Sequence, residues 1–157
     1  CEPVLYVASP TSVACCVRTE SSMEVGAGHR DVEQWRWWNT KEVIHPSAVC
    51  LTNHGMLMAG RRLEERVIAR DRDKKGYVGE TETITTTALY HLHAQVPVFL
   101  CDLPSGGDTG YAGIADGPEE DTVLVSYYSQ HESLRNGKFG TTLPGAQVYV
   151  AEVGIRG

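Results

Sequence analysis

The chain has 157 residues, 41% of them hydrophobic and 22% charged, with a formal net charge of -6. That length supports one core, and the acidic balance argues against a nucleic-acid surface and against docking on an anionic membrane. No apolar run approaches the ~20 residues of a membrane-spanning helix, and no signal peptide is visible. The first residue is Cys1 rather than Met. A start of that kind reads as processed, trimmed or lost, so the missing signal is uninformative about targeting.

The five cysteines are Cys1, Cys15, Cys16, Cys50 and Cys101. An odd count with one adjacent pair fits neither a disulfide framework nor a zinc spacing. Cys15, Cys50 and Cys101 lie in apolar, strand-like runs and read as small core filler.

Residues 2–9 (EPVLYVAS) form a β-rich run, stopped by Pro10 and Thr11. Residues 12–20 (SVACCVRTE) form a second, and the short turn between them predicts an antiparallel hairpin. Residues 23–27 are a third strand, and the aromatics of 35–38 (WRWW) a fourth.

The pattern then restarts. Residues 46–51 (PSAVCL) and 56–61 (MLMAGR) flank the turn signal Thr52-Asn53-His54-Gly55. Residues 83–93, rich in Thr and Tyr, and 96–103 (VPVFLCDL) supply two more strands, with Pro97 pointing to an edge position for the last. Ahead of these two strands, residues 63–81 read as a solvated charged excursion with room for a helical turn. His91 and His93 put two imidazoles on one strand face, with no third metal ligand evident, and read as surface.

A third cycle opens on Ser105-Gly106-Gly107-Asp108-Thr109-Gly110-Tyr111-Ala112-Gly113, with four glycines in nine residues. Such a loop can present Asp108 and Tyr111 on a backbone that tolerates positive φ. Composition alone makes it an inter-strand turn with a half-buried tyrosine. Strands follow at 111–115, 122–129 (TVLVSYYS) and 147–153 (QVYVAEV), with a polar loop at 131–142. No long periodic helix is visible.

Three cycles of up to four short strands, about 40 to 60 residues each, match β-propeller blades; a sandwich also gives many short strands. In an up-and-down blade the start of the first strand and the end of the second share one end. That end collects Arg18, Glu20, His45, Arg61, Asp108, Tyr111, Tyr127 and Tyr128. Strand ends carry charge simply because they are solvated, so only the joint arrangement suggests a site.

The run LPSGGDTGYAGI, followed by VLVSYYSQHES and VYVAEV, resembles the last blade of the sialidase-like six-bladed propellers. CCVRTE resembles that family's arginine-bearing strand, and Arg61 sits where its next arginine falls. Residues 30–35 (RDVEQW) resemble a worn Asp-box turn that lacks the usual Gly and Thr. The resemblance implies an all-β, partial propeller of about three four-stranded antiparallel blades, at 1–40, 41–103 and 104–157, forming a single domain.

It also implies a retaining exo-sialidase-like glycoside hydrolase. Sialic acid carries a carboxylate on its anomeric carbon, which would repel a carboxylate nucleophile, and sialidases use tyrosine instead. By this resemblance Tyr111 is the nucleophile and Glu20 a base partner, or else only an orienter of Arg18. Arg18 and Arg61 hold the substrate carboxylate, with Asp108, His45 and Tyr128 lining the substrate site. Asp108 would brace the loop through Asx-type hydrogen bonds. The family's first arginine and acid/base aspartate belong to early blades and are not located in this chain. No cofactor is implied; the partner is a glycan or sialoside, commonly outside the cell, and open blade edges imply self-association. The rival reading is a non-catalytic carbohydrate-binding or scaffolding propeller module.

Overall fold

The structure, a computed structural model, describes residues 3–20, 22–29, 34–69, 80–94, 96–131 and 146–155. Its strands are β1 (Pro3–Ser9), β2 (Ser12–Arg18), β3 (Met23–His29), β4 (Trp35–Asn39), β5 (Ile44–Thr52) and β6 (Gly55–Ala69). They continue as β7 (Glu80–His93), β8 (Val96–Asp102), β9 (Thr109–Asp116), β10 (Thr122–Ser129) and β11 (Gln147–Gly154). Three antiparallel meanders result, β1-β2-β3-β4, β5-β6-β7-β8 and β9-β10-β11. The fold is all-β. No helix among the described residues is long and apolar enough to cross a membrane.

Alternation along the strands explains the packing. Met58 of β6 joins Cys16, Met23, Val25, Ile44, Ala88, Tyr90 and Leu92 in a core between the first two sheets. Its neighbours Leu57 and Ala59 point the other way, joining Leu89, Leu103, Ala112, Val123, Val125 and Tyr127 in a core between the second and third. The middle sheet is therefore apolar on both faces, which is why MLMAG and ALYHL read as almost continuous apolar runs. The leading strands lie side by side, β5 touching both β1 and β9. Pro97 does sit on an edge strand, since β8 ends its sheet.

The outer faces of the end sheets stay open. Leu5 and Val7 are 66% and 61% exposed at one end, and Val148 and Val150 are 80% and 66% exposed at the other. Trp37 and Trp35 lie over Gly26 and Gly28, where an added Cβ would come within 2.6 Å and 3.2 Å of the indoles.

The structure corrects the excursion expected at 63–81 for its two ends, 63–69 and 80–81; residues 70–79 lie outside the described residues. β6 runs on to Ala69 and β7 begins at Glu80, and the two stay paired from Leu63↔Thr85 through Ala69↔Glu80. The β-branched residues Thr83, Ile84 and Thr85 of β7 favour extended backbone. Neither β5 nor β8 follows this ribbon, as their pairing stops at Ile44↔Arg62 and Ala88↔Asp102. A second correction concerns the cysteines. Cys16 and Cys15 are buried, whereas Cys50 and Cys101 are only partly covered. The loop at 132–142 and the Asp-box-like residues 30–33 lie outside the described residues.

Candidate functional site

Arg61 lies on β6 opposite Thr87 of β7 and His45 of β5. Two residues on from Ala59, it points toward the third sheet, while Arg62 points to the opposite face and pairs with Asp102 and Glu64. Gly60 lets β5 come close, since a Cβ there would stand 2.8 Å from the His45 carbonyl oxygen. Sheet geometry thus aims Arg61 at the glycine-rich loop.

Two groups of the loop and one from β10 meet it. The Arg61 Nε donates to the Thr109 carbonyl at 2.5 Å. Its Nη2 donates to Asp108 Oδ1 at 3.2 Å and to the Tyr128 hydroxyl at 3.1 Å. The Tyr128 hydroxyl in turn donates to Asp108 Oδ1 at 2.7 Å. Burial, and then the hydrogen bond to Asp108, raise the Tyr128 phenol above its ordinary range, with Arg61 working the other way. The phenol therefore keeps its proton and stays a donor. Asp108 makes no Asx-type bond among the described residues; its carboxylate instead reaches Arg61 and Tyr128.

Tyr111 opens outward beside this cluster. Its ring stacks on Tyr128 with centroids 5.9 Å apart, and the side chain is largely exposed. The backbone achieves this through two successive positive φ angles, 147° at Gly110 and 44° at Tyr111. A Cβ on Gly110 would also stand 3.4 Å from Arg61 Nη2. Only glycine permits both the turn and the close approach.

A set of hydroxyls absent from the sequence reading holds the loop in place. Thr85 Oγ1 donates to the Gly107 carbonyl. The Thr87 amide donates to Ser105 Oγ at 2.7 Å. Thr87 Oγ1 bonds Thr109 Oγ1 at 2.7 Å, and Thr109 Oγ1 donates to the Tyr128 carbonyl at 2.7 Å. From β10, Ser129 Oγ bonds both the Gly106 amide and its carbonyl, and Gln130 Oε1 accepts from the Asp108 amide. Thr87, Thr109 and Ser129 are fully buried, so each hydroxyl needs these partners. The signal in the sequence was the alternation Thr83, Thr85, Thr87, which puts three hydroxyls on the loop-facing side of β7.

Arg18 and Glu20 stand apart from this cluster. Arg18 ends β2, opposite Met23. Met23 is bonded to Thr40 and Glu42 just ahead of β5, which puts Arg18 and Arg61 at the same end of their sheets. No hydrogen bond or ion pair among the described residues joins Arg18 or Glu20 to Arg61, Asp108, Tyr111 or Tyr128. Both are exposed. His45 is partly buried beside Arg61. The rings of His91 and His93 stack, 6.1 Å apart, at the far end of β7 from Thr87.

The cluster offers two open positions. Arg61 Nη1 and Asp108 Oδ2 have no partner among the described residues, and the two side chains are 27% and 58% exposed. A donor and an acceptor side by side suit a ligand with hydroxyl and acidic groups. Compared with protein-family models, with curated proteins and with solved structures, the chain finds no match in any of the three.

Proposed function

We propose that this chain is the C-terminal part of a sialidase-like β-propeller, a retaining glycoside hydrolase that cleaves terminal sialic-acid-type sugars. The observation that carries the reading is the exposed Tyr111, held on a positive-φ backbone beside an arginine and a second phenol. Three successive antiparallel meanders with adjacent leading strands support the blade assignment. In this reading a carboxylate takes the Tyr111 proton as the phenol oxygen attacks the anomeric carbon. The glycosidic bond breaks, its oxygen protonated by the acid that the resemblance puts in the early blades, and water then displaces the sugar from Tyr111. Arg61, with Arg18 at the same end, holds the substrate carboxylate. A phenol needs a base to become nucleophilic, and Asp108 is a carboxylate already bonded to one member of the tyrosine pair. Glu20 takes the base role only if the ligand draws the first and third sheets' groups together.

One observation favours the rival reading of a non-catalytic glycan-binding module. The Nε and Nη2 side of Arg61 is already taken by Thr109, Asp108 and Tyr128, so a substrate carboxylate meets Arg61 from the Nη1 side only.

The deciding experiment is release of a fluorogenic leaving group from a sialoside by the full-length protein. Tyr111→Phe should keep ligand binding and lose most turnover, because it removes only the nucleophilic oxygen. Arg61→Ala should weaken binding, by roughly 2–5 kcal/mol if the bound charge pair is desolvated. An inactive parent, or a Tyr111→Phe variant as fast as the parent, would leave the glycine loop a turn and the module non-catalytic.

A further inference from the structure

We infer that Asp108 is a specificity-determining residue: it makes Arg61 a poor receptor for a lone carboxylate and a good one for an acid that also offers a hydroxyl. The inference rests on the proposed function only for the choice of the sugar acid as a probe.

Asp108 Oδ1 accepts from Arg61 Nη2 and from the Tyr128 hydroxyl, so an internal carboxylate already occupies one edge of the guanidinium. Arg61 and Asp108 together carry no net charge. A simple anion arriving at Nη1 gains one partly neutralised cation and meets the Asp108 charge beside it. A ligand bearing a hydroxyl next to its acid avoids that conflict. Its carboxylate accepts from Nη1 while its hydroxyl donates to Asp108 Oδ2, so the same carboxylate that repels a bare anion binds this ligand.

Tyr128 fixes the arrangement. Its phenol stays protonated and spends its only proton on Asp108 Oδ1, which holds the carboxylate against Arg61 and leaves Oδ2 without a partner among the described residues. The Asp108 amide is anchored on Gln130, so the side chain starts from a fixed backbone.

The experiment measures binding of acetate, of glycolate and of N-acetylneuraminate to the full-length parent, Asp108→Asn and Tyr128→Phe, by NMR titration of arginine side-chain signals. Asp108→Asn removes the internal charge but keeps the shape. Acetate should bind it roughly 1.4-fold to fivefold more tightly than the parent, the range an exposed ion pair commands. Glycolate and N-acetylneuraminate should lose their advantage over acetate. Tyr128→Phe, which frees Asp108 without discharging it, should shift the same preference in the same direction by less. Unchanged acetate affinity in Asp108→Asn overturns the inference, as does an unchanged preference for hydroxy acid over acetate. If the parent binds glycolate more tightly than acetate but does not bind N-acetylneuraminate, the filter stands and the sialic-acid reading falls; a parent that prefers neither hydroxy acid to acetate overturns the inference.

Discussion

The Tyr111 ring stacks on the Tyr128 ring, their planes 27° from parallel, while the Tyr111 backbone sits at a φ of 44°. A side chain larger than Asn is uncommon in that region, because its Cβ crowds the following carbonyl. The chain accepts strain in order to hold this phenol in the open. Tyr111→Gly should therefore raise stability by roughly 0.5–1 kcal/mol while abolishing any turnover. Tyr111→Phe, which keeps both the ring stack and the strained backbone, should not share that gain. Urea denaturation of the three proteins checks this, and a destabilised Tyr111→Gly would mean that the stack outweighs the strain.

The loop is expected to depend on hydroxyls more than on its own glycines. Thr87→Val keeps the volume of a fully buried side chain but removes the bond to Thr109 Oγ1, at a cost of about 1–3 kcal/mol. Thr87→Ser keeps that bond and loses a methyl. Serine should restore the Tyr111 and Tyr128 ring signals in an NMR spectrum to their parental positions, and valine should not. Identical spectra for the two variants would make Thr87 ordinary packing.

Stability should fall in alkali. Burial, with Cys15 adding to it, pushes the Cys16 thiol from 9.0 up to about 12. Burial likewise lifts the Tyr90 phenol from 10.0 to about 12, with Arg62 opposing and Asp102 and Glu42 reinforcing. The unfolded chain gives up these protons first, so their contribution is complete below about pH 9 and is lost between there and pH 12. Each group accounts for about 1.4 kcal/mol per pH unit inside its window. Melts from pH 8 to 11 should show a shallower decline for Cys16→Ala than for the parent, whatever its stability at neutral pH.

The open faces should make the 157-residue chain associate. Leu5, Val7, Trp35 and Trp37 cover one end of the stack, and Val148 and Val150 the other, all exposed. Apolar patches of this kind are uncommon on monomers. Sedimentation velocity should show oligomers for the parent and a monomer for Leu5→Lys combined with Val150→Lys. A monomeric parent that binds no hydrophobic dye would count against this.

The linear pattern of residues determined the strands. Alternation, β-branched runs and turn residues are local, so the hairpins at Pro10-Thr11 and Asn53-His54 and the edge position of Pro97 were legible without coordinates. The apolar run MLMAG was read as a strand, and only the two cores showed it buried on both faces. The ribbon at 63–69 was misread because its charges masked the β-branched residues that pair across it. Tertiary structure decided everything that depends on which face a residue occupies relative to another sheet. Arg61 and Arg62 are neighbours in sequence, yet pleating sends one to the glycine loop and the other to Asp102. Asp108 was read as a brace for its own loop, and only the packing of the second sheet on the third turned it into a partner for Arg61 and Tyr128. Thr87, Thr109 and Ser129 looked like ordinary strand residues. Burial made them a network, because a hydroxyl removed from water must find its partner within the protein.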